Sequence, residues 1–379
     1  MAAFAAIVAG ISLLVWVLIA LYPGRPWSVE PCWNAELSDA DTEADLSEIT
    51  VLIPARNERT VIDRTLPAVL NQGRGAKVIL VDDQSTDGTG ARADEIGGGR
   101  IEIVWGTELP EGWSGKLWAL EQARMRAHTP LLVLLDADIE LDGAVLIGMR
   151  KRLMENRLSF VSLMAIPAMK GGWEKLLMPA FVYFFKLLYP FRMANSMKSQ
   201  VAAAAGGFIM IEASVLEAVG GFGGVRAAII DDCTLAARIK SKGYLGWLGL
   251  TQSIRSTRSG LGLASVWEMV ARTAFTQLSY SIPRLLFCSF VMLLAFWAPP
   301  VLIFFGYPVG AVAGLTLLIM IMTYIPILGF YNRSFLWAAF LPVIGALYLA
   351  MTWTSAIRYW RGERSRWKGR AYRKTAVGE

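Results

Sequence analysis

Acidic residues carry most of the chemistry this sequence can perform. The apolar run Leu131–Leu135 ends in Asp136-Ala137-Asp138, two carboxylates two residues apart where a strand would leave a sheet. In extended chain those side chains share a face. Charges so close repel unless protonated or bridged by a cation, and a hard ion such as Mg2+ or Mn2+ would also neutralise the diphosphate of a ligand. An Asp cap on a following helix fits the same residues. A second pair, Asp231-Asp232, stands before a helical segment at 233–242. It reads either as capping favoured by the helix dipole or as a general base held near an acceptor.

Two polar clusters follow apolar runs nearer the N-terminus: Pro54-Ala55-Arg56-Asn57-Glu58, and Asp82-Asp83-Gln84-Ser85-Thr86-Asp87-Gly88. At adjacent strand ends they would accept hydrogen bonds from a base and a ribose; turn chemistry is the other reading, and Asp87-Gly88 reads as the start of a helix. Gly112-Trp113-Ser114-Gly115-Lys116 opens a helix with free backbone amides and a lysine, a combination suited to phosphate. It lacks the Walker A spacing. Gly206-Gly207-Phe208 lets backbone approach closely, and Gly220-Gly221-Phe222 would cap the helix before it. A single histidine, His128, excludes a site built from several imidazoles, so acid and base work falls to carboxylates. Cys32, Cys233 and Cys288 are odd in number and far apart, which supports neither a disulfide scaffold nor a CxxC zinc site and fits a reduced compartment.

The elements that must position these residues are legible as short apolar runs alternating with amphipathic segments, the pattern of βαβ units on a parallel sheet. Strands are expected at 49–53, 77–81, 101–104 and 131–135, with helices at 58–71, 88–96, 116–127 and 141–156. Ligands of such sheets bind beyond the carboxyl ends of the strands, where the polar clusters fall.

Hydrophobic residues make up 55% of the 379, more than a purely soluble chain carries. Residues 2–21 hold no charge and are long enough to cross a bilayer. No Lys or Arg precedes Arg25, so an uncleaved anchor with its N-terminus outside is expected rather than a signal peptide. Three more apolar stretches lie at 285–305, 309–330 and 335–357, the first broken by Pro299-Pro300 and therefore expected to be kinked, re-entrant or divided. Residues 36–48 carry six acids and no base, and residues 358–374 eight bases and one acid. The acidic run reads as a solvated linker. The basic run directly follows an apolar stretch and points to anionic lipid headgroups rather than nucleic acid. Three C-terminal crossings would place that basic tail outside, so one stretch is expected not to cross fully. The aromatic segment at 173–192, with Lys175, Lys186 and Arg192 interspersed, suits the membrane interface or an ordinary core helix.

In order, Pro54 to Glu58, Val81 to Thr89, Gly115-Lys116, Asp136-Ala137-Asp138, Gly206-Gly207-Phe208 and Asp231-Asp232 resemble the motif series of family 2 glycosyltransferases, over nearly all of the middle domain. The apolar C-terminal stretches and the tail Trp367-Lys368-Gly369-Arg370-x-Tyr372 are similar to membrane-bound members, the hopanoid-associated glycosyltransferases of bacteria above all. The resemblance implies an α/β fold of the GT-A (Rossmann-like) type with a mostly parallel sheet, flanked by transmembrane helices. The segments are then an anchor at 1–23, an acidic linker at 24–47, a cytoplasmic GT-A domain at 48–283 including an interfacial helix at 173–194, a transmembrane region at 284–357 and a basic cytoplasmic tail at 358–379.

It further implies inverting transfer of one sugar from a nucleoside-diphosphate sugar, a UDP-sugar first, to a lipid acceptor at the bacterial inner membrane, with Mg2+ or Mn2+ as cofactor and no nucleic acid partner. By motif position, Pro54, Ala55, Glu58 and Asp83 lie at the nucleoside, Lys116 at the phosphate or sugar, and Asp138 at the metal with Asp136 nearby. Gly207 and Asp231 line the substrate, and Asp232 deprotonates the acceptor hydroxyl. Processive members carry Gln-x-x-Arg-Trp where this sequence reads Met269-Val270-Ala271-Arg272-Thr273. Arg272 remains as a diphosphate or headgroup contact, while the missing Gln and Trp favour a single sugar over a polysaccharide synthase. A non-catalytic membrane scaffold is the other alternative.

Overall fold

The computed structural model describes residues 1–36, 44–258, 260, 262–368 and 370–373. Along the chain, α1 (Ala2–Leu21) precedes β1 (Ile49–Ala55), α2 (Arg59–Leu70), β2 (Lys77–Asp82), α3 (Thr89–Gly97), β3 (Glu102–Trp105), α4 (Gly115–Arg124) and β4 (Leu131–Leu135). Then come β5 (Ile139–Leu141), α5 (Val145–Glu155), β6 (Phe160–Ile166), α6 (Gly172–Leu188), α7 (Phe191–Ala194), β7 (Phe208–Glu212), α8 (Ala213–Ala218), α9 (Asp231–Ser241) and β8 (Gly246–Ser256). The remainder is α10 (Leu263–Ala271), α11 (Ala274–Gln277), α12 (Ile282–Met292), α13 (Ala298–Leu302), α14 (Val309–Phe330), α15 (Leu341–Trp360) and a hairpin of β9 (Glu363–Trp367) and β10 (Arg370–Arg373).

The chain forms two compact units. One, at 30–168 and 191–259, holds an eight-stranded sheet in the order β3-β2-β1-β4-β7-β6-β8-β5. β3, β2, β1 and β4 run parallel, while β7 runs antiparallel to both β4 and β6. The sheet is therefore mixed, and its parallel half holds the four strands expected from sequence. β1 and β4 are buried along their whole length, as strands covered on both faces must be. Alternation sends Val51 and Ile53 to one core with Ile62 and Leu66 of α2. Leu52 and Leu134 go to the other core, with Leu117 and Leu120 of α4. Each such buried aliphatic side chain stabilises the fold by about 1.5–3 kcal/mol relative to exposure, and together they fix the register that brings Ala55, Asp82 and Leu135 to one edge.

Parts of the segment read as an acidic linker are built into this unit. Trp33 donates its backbone N–H to the Leu250 carbonyl and packs on the core, and Leu46 is fully buried. The centre of the acidic run, 37–43, lies outside the described residues, as does Lys374 of the basic tail.

The other unit, at 1–29, 169–190 and 260–379, is helical. Among the described residues, four helical stretches are long and apolar enough to cross a membrane: Ala2–Leu21, Ile282–Leu302, Val309–Phe330 and Phe335–Trp360. The break expected at Pro299-Pro300 is bridged instead. A π-helical turn at Leu293–Trp297 links α12 to α13, so the stretch runs on as one 21-residue helix. Pro299 has no N–H to offer the Ala295 carbonyl, and the Ala298 N–H bonds to Leu293. The two carbonyls left over are taken by α1: Trp16 Nε1 donates to Ala295 at 2.8 Å and Ser12 Oγ to Leu294 at 2.9 Å.

The aromatic segment forms α6 in this helical unit rather than in the sheet unit. Leu177 and Tyr183 are fully buried, and Phe184 stacks edge-on against Phe296 and Tyr348, while Trp173 and Leu188 stay exposed. Core packing thus takes the middle of the stripe.

Candidate functional site

The loops leaving β1 and β2 interlock. Asn57 and Gln84 both adopt positive φ, and Asn57 Oδ1 accepts the Thr86 N–H at 2.9 Å while its own N–H meets Ser85 Oγ at 3.0 Å. The Asp82 carboxylate accepts the Ser85 and Gly90 amides, each at 2.8 Å, and a side chain at Gly90 would come within 2.5 Å of it. Asp82 is thereby consumed in building the turn. Asp87 accepts the Thr89 amide at 3.0 Å at the start of α3, the helix the sequence suggested, and also the Arg59 amide at 3.1 Å at the start of α2. Asp83 is left fully buried at the strand edge, its N–H on the Ala55 carbonyl at 2.8 Å and its carboxylate 3.9 Å from the Arg56 guanidinium. Pro54 and Ala55 pair with Val81 and Asp82 in the sheet.

At the end of β4 the acids meet a lysine. Ser114 caps α4, its Oγ accepting the Leu117 N–H, which leaves Lys116 in the first turn with its chain directed at the strand ends. Lys116 Nζ stands 2.8 Å from Asp136 Oδ1 and 3.6 Å from Asp231 Oδ2. Asp232, in the first turn of α9, accepts the Gly206 N–H on Oδ2 at 2.8 Å and the Cys233 N–H on Oδ1 at 2.7 Å. A small, partly open cavity lies here, bounded by Pro54, Lys116, Asp136, Gly206, Asp231 and Asp232 with apolar walls that include Leu120 and Phe222.

Burial, and then the neighbouring Asp231 charge, push the Asp232 carboxyl up to about 6 against the pull of Lys116 and the two amides. Burial likewise raises Asp136 although Lys116 opposes it. For Lys116 burial works downward, but the charges of Asp136, Asp231 and Asp232 outweigh it and hold the ammonium above its ordinary value. The cluster is one cation among three carboxylates, with the Asp232 carboxyl raised toward neutrality.

Asp138 belongs to a different cluster. The chain turns directly after Leu135, with the Ile139 N–H on the Asp136 carbonyl at 3.1 Å, and a strand, β5, follows where a helix cap was one expectation. Alternation along an extended strand therefore does not apply, and the two carboxylates take separate cations. Asp138 Oδ2 accepts Ser256 Oγ at 2.8 Å and Arg258 Nε at 2.9 Å, and Arg258 Nη2 reaches on to Glu58 Oε1. Among the described residues every hydrogen bond to the Asp138 carboxylate falls on Oδ2, and no group of three or more His, Cys, Asp or Glu side chains gathers as a metal cage. One or two carboxylates completed by phosphate oxygens and water is the donor set Mg2+ and Mn2+ accept, so Asp138, with Asp136 nearby in sequence, fits such an ion.

Of the residues singled out from sequence, Pro54, Lys116, Asp136, Asp231 and Asp232 share the cavity. Glu58 and Asp138 share Arg258. Gly207 backs onto Ile139, and it is Gly206 whose N–H meets the acids. Arg272 closes α10 in the helical unit, its Nε buried. Sequence reasoning missed Arg258 and Ser256. Their signal is slight, a hydroxyl at the end of the long strand β8 and a base two residues beyond it.

A mixed sheet covered on both faces, with acids at the carboxyl ends of adjacent parallel strands, is the GT-A architecture. The mannosyltransferase PcManGT from Pyrobaculum calidifontis, solved in complex with GDP-Man and Mn2+, shares the fold with a TM-score of 0.55 at 18% identity, covering 95% of this chain and 99% of that one. Residues 50–220 match the family described as glycosyl transferase family 2. Among curated relatives, the 4,4'-diaponeurosporenoate glycosyltransferase of Staphylococcus haemolyticus is 31% identical over 95 residues, 25% of each chain. The succinoglycan biosynthesis protein ExoU of Rhizobium meliloti is 33% identical over 99 residues, 26% of this chain and 28% of that one. The chain thus spans about a quarter of the length of these curated relatives.

Proposed function

We propose that the protein transfers one sugar, with inversion, from a nucleoside-diphosphate sugar to a hydroxyl of a membrane lipid. The observation that carries this reading is Asp232: a buried carboxylate, oriented by two backbone amides, in a cavity that also holds Lys116 and Asp136. An Asp232 oxygen removes the acceptor proton as the acceptor oxygen attacks the anomeric carbon from the face opposite the diphosphate, and the bond to the diphosphate breaks. Gly206 and Cys233 hold that carboxylate in place. Lys116 balances the acids and offers its ammonium to the charge that develops on the departing oxygen. Glu58 and Asp83 bind the nucleoside.

Asp138, with Asp136 nearby in sequence, would hold Mg2+ or Mn2+, which supplies electrostatic stabilisation of the leaving diphosphate. A UDP-sugar is the first donor to try, and a hopanoid or polyprenyl-type lipid the first acceptor. Four helices of spanning length support a place in the bacterial inner membrane with the sheet unit on the cytoplasmic side, and the charge of the basic tail alone favours one C-terminal stretch not crossing fully. A relative named for glycosylating 4,4'-diaponeurosporenoate supports a single small acceptor.

The test is a panel of nucleotide sugars incubated with purified protein and extracted membrane lipids, read by mass. One added hexose on a lipid is expected, absent with Asp232→Asn and Asp138→Asn protein that still inserts and folds. Full turnover by both variants would remove the assignment, and products lengthening with time would replace it with polymer synthesis.

A further inference from the structure

Arg258 grips two acids that the proposed donor site needs for itself. Its Nε bonds to Asp138 and its Nη2 to Glu58, two carboxylates 120 and 200 residues away in sequence. Both acids are deeply placed, their side chains 14% and 7% exposed, so neither tolerates its charge without a partner. The backbone beside Arg258 is fixed: the N–H and Oγ1 of Thr257 both donate to the Asp138 carbonyl, at 2.7 and 3.0 Å. The guanidinium is not fixed in that way. Its side chain is one third exposed, and among the described residues it is held at its tip by the pair of acids, so it can swing into solvent while the backbone stays.

We infer that Arg258 is an exchangeable internal cation: in the donor-free protein its guanidinium holds Asp138 against Glu58, and a divalent ion gains Asp138 by displacing it. The inference rests on the reading of Asp138 as the metal carboxylate. A guanidinium and a divalent ion on one carboxylate repel each other in a site with little water between them, so the ion must compete for Asp138. The same displacement uncovers Glu58. Lys116 takes no part, since it serves Asp136 and Asp231.

The test titrates the full chain in detergent with Mn2+ alone and reads free Mn2+ by electron paramagnetic resonance. Arg258→Gln is expected to bind Mn2+ about tenfold or more tightly than wild type, the worth of a charge-assisted hydrogen bond no longer competing. Arg258→Lys, still a cation, should stay within about threefold of wild type. Asp138→Asn added to Arg258→Gln should erase the gain. Arg258→Met keeps the apolar stem and serves if the glutamine variant does not fold. Unchanged or weaker Mn2+ binding on loss of the guanidinium, or a gain that survives without the Asp138 carboxylate, overturns the inference. A merely structural Arg258 would lower the melting temperature and leave Mn2+ affinity alone. Lipid glycosylation by the wild type is read separately, so transfer without the Mn2+ gain sinks this inference and leaves the proposed function standing.

Discussion

The backbone amide of Gly206 donates to Oδ2 of Asp232 across 2.8 Å, tying the approach to β7 to the first turn of α9. That bond, with the Cys233 amide on the other oxygen, aims a carboxylate that burial would otherwise discourage from ionising. Its orientation is set by backbone, so it does not depend on a rotamer elsewhere.

The first prediction concerns pH. Burial raises the Asp232 carboxyl to about 6, so the base is protonated below that value and free above it. Sugar transfer, measured as kcat/KM, is expected to fall about tenfold per pH unit below 6 and to level off above 7. A profile flat from pH 5 to 8 would show that Asp232 is not the base.

Gly206→Ala probes the same bond. An added Cβ would stand 3.2 Å from both Asp232 Oδ2 and Lys116 Nζ, closer than carbon usually comes, so the acid and the lysine must each give by a few tenths of an ångström. Transfer is expected to drop by roughly tenfold to a hundredfold, the cost of a misplacement under an ångström, with little loss of melting temperature. Circular dichroism melts beside initial rates check both halves.

Removing the lysine should be harsher. Lys116→Met leaves Asp136 and Asp231 facing Asp232 with no cation among them, and the first two lose an ion pair 2.8 Å and 3.6 Å long. Because Asp136 is a third exposed, water screens part of the loss, and about 1–3 kcal/mol of stability is expected to go rather than the larger figure for fully buried pairs. Transfer should be abolished. Denaturant melts would reveal the alternative, a lysine that matters to phosphate alone and leaves stability untouched.

Trp16→Phe addresses the helical unit. It removes the N–H that the Ala295 carbonyl receives in place of one from Pro299, while an aromatic ring remains beside Phe296, whose centroid lies 5.3 Å from that of Trp16. An unsatisfied carbonyl among apolar side chains costs about 1–3 kcal/mol, so the melting temperature in detergent should fall with rates per folded molecule unchanged. An unaltered melt would mean that the π-helical turn satisfies its own carbonyls.

The parallel half of the fold was legible because β1, β2 and β4 are almost wholly buried and so read as apolar runs, while the edge strand β3 is short and partly exposed, and amphipathic helices follow β1, β2 and β3. β5, β6, β7 and β8 were not singled out, since an antiparallel return from β4 leaves no signature in the local sequence. Lys116, Asp136 and Asp231 were each singled out from sequence on separate grounds, and their bonded cluster was not anticipated. Pro299-Pro300 was read as a break because the compensating donors, Ser12 and Trp16, lie almost 300 residues away.

By itself the sequence determined which residue types end each strand, where the apolar spans fall and that carboxylates must do the acid and base work, because periodicity, turn chemistry and composition are local properties of the chain. Only the tertiary structure decided which cation each carboxylate meets. Asp136 and Asp138 are two residues apart, yet the turn after β4 sends one to Lys116 and the other to Arg258, which also holds Glu58. Charge pairing depends on distances of a few ångströms between segments far apart in the chain, and the packing of the sheet sets those distances.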